Sequence, residues 1–156
     1  MSRRYVNDAN IRSWLSSVVR DINLSNKQPN AIVVPVRGGL SIGVMLSHYF
    51  DCPVYPVHVS LRDSAEIVDY ISLERGFRQA WKHGSVLVVD DINDTGKTFK
   101  TIMDTIANIP LKGETRTAVL LEKSSSDFEA DFVGEYIYED REHEWVVFPW
   151  ENWWSA

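Results

Sequence analysis

The chain has 156 residues, 44% apolar and 24% charged, the balance of one ordinary globular domain able to bury a core rather than of a disordered chain. Twenty-two acidic residues against 16 basic ones give a formal net charge of −6, which argues against a nucleic-acid binder held by phosphate neutralisation. The single cysteine, Cys52, excludes an intrachain disulfide and suggests a reducing compartment.

In chain order, the first eight residues hold Arg3 and Arg4 but no apolar run, which is not the pattern of a signal peptide. No segment approaches the ~18 apolar residues of a membrane span. A cytoplasmic protein with no membrane or nucleic-acid partner is expected. Ile11, Trp14, Leu15, Val18, Val19 and Ile22 recur at helical spacing and predict an amphipathic helix. Apolar runs at 31–36, 54–59, 86–89 and 118–121 are short, β-branched and unbroken, as in strands covered on both faces. Between them, Leu40, Val44 and Leu46 to Tyr49 fit one helix, and Phe99, Ile102, Met103 and Ile106 fit another. Strand, helix and strand in this order predict an α/β domain, a parallel twisted sheet flanked by helices. The segment 60–83 reads as a long charged excursion with Arg62, Arg75 and Arg78, and 128–156 as a small C-terminal subdomain on a core of about 11–127.

The most informative stretch is Val86 to Thr98, a buried strand ending in Asp90 and Asp91, then a short loop, then a helix. Ligands of open α/β sheets bind at the carboxyl ends of strands, and a loop feeding a helix N-terminus suits a phosphate. Two carboxylates repel phosphate and suit hydroxyls or a divalent cation instead. A ligand carrying both sugar and phosphate is expected. As a plain helix cap, Asp94-Thr95-Gly96 leaves the carboxylate pair unexplained. The Walker P-loop is excluded because Asp91 stands where its first glycine belongs. A second loop, Val36-Arg37-Gly38-Gly39-Leu40, joins strand to helix on the same edge; its glycines allow close approach and its arginine offers a forked donor. No metal-ligand spacing links Cys52, His48, His58, His83 and His143.

Val86 to Thr98 resembles the phosphoribosyl-pyrophosphate (PRPP) motif of type I phosphoribosyltransferases, and Asp94 to Thr98 resembles its hypoxanthine-guanine form. Trp145-Val146-Val147-Phe148-Pro149-Trp150-Glu151 is similar to the hood of the xanthine-guanine enzymes. The resemblance implies that Asp90 and Asp91 face the ribose hydroxyls and, indirectly or through those hydroxyls, Mg²⁺, the expected cofactor. It implies that Asp94, Thr95, Gly96, Lys97 and Thr98 wrap the 5′-phosphate, with Asp94 also the acid/base near purine N7. Arg37, Gly38 and Gly39 fall on the pyrophosphate loop. Trp145 becomes the stacking face, the Trp145 and Val146 backbones and Glu151 the base-edge contacts, and Lys123 the donor to O6 that rejects adenine. The excursion falls where the family has its mobile loop, so its arginines are candidates for the pyrophosphate. Trp153 and Trp154 read as a satellite core or subunit contact.

The implied reaction transfers the 5-phosphoribosyl group to N9 of a 6-oxopurine in base salvage, in a dimer or tetramer. Gly96-Lys97 replaces the glycine pair usual in xanthine-guanine enzymes, and the middle excursion is longer, so the preferred 6-oxopurine stays open. So do two rivals: a non-catalytic PRPP or nucleotide sensor, and an enzyme for a pyrimidine or unusual acceptor.

Overall fold

The computed structural model describes residues 1–61 and 66–155. Its elements are β1 (Arg3–Tyr5), α1 (Asp8–Ser25), β2 (Ala31–Pro35), α2 (Leu40–Phe50), β3 (Val54–Val57), β4 (Val59–Ser60), β5 (Ile67–Val68), α3 (Tyr70–Trp81), β6 (Val86–Asn93), α4 (Lys97–Ala107), β7 (Thr115–Lys123), β8 (Phe132–Ile137) and β9 (Trp145–Val147). A five-stranded sheet runs β3-β2-β6-β7-β8, and every neighbouring pair in it is parallel. The expected α/β class is therefore the observed one.

Alternate residues of each central strand feed two separate cores. Ile32, Val34, Leu87, Val89 and Leu120 meet α1 and α2 through Trp14, Val18, Ile22, Ile42 and Leu46. Ala31, Val33, Val86, Val88 and Val119 meet α3 and α4 through Leu73, Phe77, Phe99 and Ile102. Coverage on both faces explains the lack of polar alternation in these strands. Because the strands are parallel, the loops after β2, β6 and β7 emerge on one edge.

Three expectations need correction. The charged excursion contains a three-turn helix, α3, opened by Asp69, whose side chain accepts the Ser72 N–H; a stripe of Leu73, Phe77 and Ala80 lies under its charges. Arg75 and Arg78 ride on that helix, Arg78 pairing with Glu74 at 2.8 Å, and neither lines the cleft described below. Arg62 lies outside the described residues. Second, the C-terminal segment supplies a core strand, β8, at the sheet edge. Third, the hood strand β9 pairs in parallel with β1, Arg3 opposite Trp145 and Tyr5 opposite Val147, so residues at the far N-terminus complete it. Arg4 anchors this ribbon to the main sheet. It donates to Glu135 of β8 at 2.7 Å, and the Trp14 indole N–H donates to the same carboxylate at 2.8 Å.

Candidate active site

A cleft of about 820 Å³ opens at the carboxyl edge of the sheet. Of the residues picked from sequence, Arg37, Gly38, Asp90, Asp91, Asp94, Thr95, Gly96, Lys97, Thr98, Trp145 and Glu151 line it. Gly39, Lys123 and Val146 do not, and each stands just behind it.

β6 extends to Asn93, so both aspartates sit on the strand, at 8% and 5% exposure. Strand alternation sends them to opposite faces. Each carboxylate folds back on the chain: Asp90 accepts the Asp91 N–H at 2.9 Å, and Asp91 accepts the Ile92 N–H at 2.7 Å. Asp91 lies beneath the first loop, where a Cβ on Gly38 would fall 2.7 Å from its carboxylate oxygens. A Cβ on Gly39 would fall 2.4 Å from the Val89 carbonyl oxygen. The glycine pair is thus required by the approach of the loop to β6, not by positive φ. The Val36–Arg37 peptide bond in this loop is cis.

Helix α4 starts at the cleft and α2 follows the first cleft loop, and neither N-cap residue makes a side-chain cap bond. The N-cap residues of α2 and α4 are Gly39 and Gly96, whereas Asn7 and Asp69 cap α1 and α3. Gly96 takes φ +89°, a conformation that favours glycine. The first intrahelical bond of α4 runs from Lys100 N–H to the Gly96 carbonyl, so the amides of residues 97–99 have no intrahelical acceptor, and that of Lys97 reaches Thr95 Oγ1 at 3.4 Å. This end carries the positive pole of the helix dipole. Asp94 does not cap the helix. Its Oδ1 lies 2.6 Å from the Lys123 ammonium, joining the β6 and β7 ends.

The hood lies over the same cleft. Trp145, 38% exposed, presents its ring, while its backbone N–H donates to Ser2 O at 2.9 Å. Glu151 Oε2 accepts the Phe148 N–H at 2.8 Å, closing the turn that carries Trp150 stacked on Phe148. Val146 is buried in the core below. Trp153 and Trp154 form no satellite core: they are 75% and 68% exposed, and Trp154 lines the cleft. Sequence reasoning also missed Glu66, which follows the undescribed residues and lines the cleft. Among the described lining residues, five are carboxylates and two, Arg37 and Lys97, are cations, while Lys123 reaches Asp94 from outside the lining. No group of three or more potential metal-ligating side chains occurs among the described residues.

The chain matches the phosphoribosyl transferase domain family over residues 6–153. No curated protein sequence matches it significantly. Its fold is similar to a purine phosphoribosyltransferase from Pyrococcus horikoshii (24% identity, TM-score 0.70, covering 97% of this chain and 95% of that one). It is also similar to a xanthine-guanine-hypoxanthine phosphoribosyltransferase from Helicobacter pylori (22%, 0.70, 97% and 93%). A third similar structure is a hypothetical protein from Neisseria gonorrhoeae with bound ppGpp (18%, 0.72, 96% and 89%).

Proposed function

The chain belongs to the phosphoribosyl transferase domain family, and from that membership we propose that it transfers the 5-phosphoribosyl group of PRPP to N9 of a 6-oxopurine base. The observation that carries this reading is the start of α4 behind Asp94–Gly96, opening together with Arg37 and Gly38 of the first loop on one cleft with two buried carboxylates and an exposed tryptophan. The helix start offers amides to one phosphate group, and the first loop offers its arginine to another. The carboxylates suit the sugar hydroxyls between them, and the ring suits a base.

Among the described lining residues five carboxylates stand against Arg37 and Lys97, with Lys123 on Asp94, a balance that does not favour a polyanionic ligand by charge alone. That donor set fits a divalent cation arriving with the diphosphate, held by Asp90 and Asp91 indirectly or through the ribose hydroxyls. Mg²⁺ bound there supplies charge neutralisation to the leaving diphosphate.

In the reaction the bond from C1 of the ribose to the diphosphate oxygen breaks, the oxygen keeps its electron pair, and purine N9 forms the new bond to C1. Arg37 and the loop amides bind the diphosphate as its charge grows. Asp94 takes the proton from N7, which makes N9 the better nucleophile. Lys123 donates to O6 of the base, an interaction an amino group at that position cannot return. Trp145 stacks on the ring, and the base-edge contacts are assigned to the Trp145 and Val146 backbones and Glu151. Calorimetry with PRPP and Mg²⁺ on the wild-type protein tests the binding half of this reading. Saturable binding lost on replacing Arg37 by Ala supports it; no binding contradicts it.

A further inference from the structure

Glu122 is a carboxylate at 3% exposure that the proposed reaction does not use. It stands opposite Asn93, also 3% exposed, in the β6–β7 register. Asn93 Nδ2 donates to Glu122 Oε2 at 2.8 Å and to the Phe128 carbonyl at 2.6 Å. The same Oε2 accepts the Ala130 N–H at 2.9 Å. Beyond the bond that joins them across the sheet, each side chain therefore holds the 124–130 loop, Asn93 at Phe128 and Glu122 at Ala130.

That loop is the back wall of the phosphate loop. The Asp127 N–H donates to the Thr95 carbonyl at 3.1 Å. Phe128 lies so close to Gly96 that a Cβ there would fall 2.7 Å from its backbone nitrogen. Phe128 also stacks on Phe99 in the first turn of α4, with ring centroids 5.2 Å apart. A chain of contacts thus runs from Glu122 through Asn93 and Phe128 to the residues at the start of α4. A buried carboxylate is costly unless its partners are met, and here the partners that meet it are the paired asparagine and the loop backbone.

We propose that Glu122 and Asn93 are positioning residues that set the phosphate loop at its binding geometry by anchoring residues 126–130 behind it. The proposal rests on the reading of residues 94–98 as a phosphate loop.

Four full-length proteins test it: wild type, E122Q, E122A and the apolar pair N93L/E122M. Melting temperature, KM for PRPP, KM for the base and kcat are measured for each, with PRPP calorimetry on the wild type. A Gln oxygen in place of Oε2 can accept both bonds, so E122Q keeps the PRPP KM within about twofold. E122A raises it by about tenfold or more, as expected when an anchored loop loses its bonds. The apolar pair keeps the volume but not the bonds and shows the same rise, whatever its melting temperature, and the base KM stays unchanged in every variant. The proposal is overturned by a wild-type PRPP KM in the apolar pair, by an equal rise in both KM values, or by E122Q failing as badly as E122A. Absence of PRPP binding to the wild type overturns the phosphate-loop reading itself, and this inference with it.

Discussion

Asp94 and Lys123 meet across the ends of two adjacent parallel strands, with Oδ1 2.6 Å from Nζ, one residue beyond the buried Asn93–Glu122 pair. The two side chains assigned separate contacts to the base, at N7 and at O6, are thus held together by the sheet before any base arrives. Their side chains are 30% and 16% exposed, so the contact is partly shielded from water without being sealed from the cleft.

Replacing Asp94 by Asn keeps the shape and removes the proton acceptor. Loss of general-base help is expected to lower kcat by about 10²-fold, with the PRPP dissociation constant within about twofold of wild type. Steady-state kinetics beside calorimetry checks this; an unchanged kcat removes Asp94 from the chemistry.

Lys123→Met removes the donor proposed for O6. A hydrogen bond to a charged group contributes about 1.5–3 kcal/mol, so kcat/KM for guanine and hypoxanthine should fall by roughly 10- to 100-fold. Adenine, which the wild type is expected to reject, should be rejected less strictly. A fall for the 6-oxopurines with adenine still fully rejected would mean that Lys123 acts only on Asp94.

The two glycines of the first loop predict different phenotypes. Gly39→Ala drives a Cβ into the Val89 carbonyl at 2.4 Å, a backbone atom of a central strand. Overpacking of this kind costs about 1–3 kcal/mol, so the melting temperature should drop. Gly38→Ala meets the Asp91 carboxylate instead. A side chain can turn aside, so PRPP affinity should suffer more than stability. Thermal melts and calorimetry on both variants separate the two cases.

Trp145→Ala deletes the exposed ring of β9 but leaves the backbone bond to Ser2. Base–aromatic stacking contributes about 1–3 kcal/mol, which predicts a rise in base KM of roughly 5- to 150-fold with PRPP KM unaltered. Quenching of tryptophan fluorescence by the base should weaken in parallel.

The Arg4–Glu135 contact predicts an acid-sensitive anchor for the hood. Burial pushes the Glu135 carboxyl up, but hydrogen bonds from Arg4 and Trp14 outweigh it, and the net result lies below the usual carboxylate range. A depressed carboxyl contributes stability above its unfolded value, ~4.3 for Glu, and loses it as pH falls through the folded value. The melting-temperature gap between wild type and Arg4→Met should therefore be open at pH 7 and narrow below about pH 4. A gap independent of pH contradicts an electrostatic anchor.

Legibility in the sequence followed how local each signal is. Strands β2, β6 and β7 lie in the sheet centre and carry unbroken apolar runs, so their class was readable. Edge strand β8 mixes Gly134, Glu135 and Tyr136 with its apolar residues and has no such run. Nothing in Arg3–Tyr5 announces a partner some 140 residues away, because pairing of β1 with β9 is decided by where the core places both ends. Helix α3 was hidden under Glu74, Arg75, Arg78 and Gln79, which leave only a narrow apolar stripe. The two cleft loops were legible because a carboxylate pair, adjacent glycines and a helix start are constraints within a dozen residues. Asn93 and Glu122 were not, since their meaning lies in a register that only the folded sheet defines.

The most direct test of the account is a spectrophotometric assay of the full-length protein with PRPP and Mg²⁺ against guanine, xanthine, hypoxanthine, adenine and uracil in parallel. The account predicts turnover of at least one 6-oxopurine and none of adenine or uracil. Turnover of adenine or uracil alone, or PRPP binding with no turnover of any base, would contradict it.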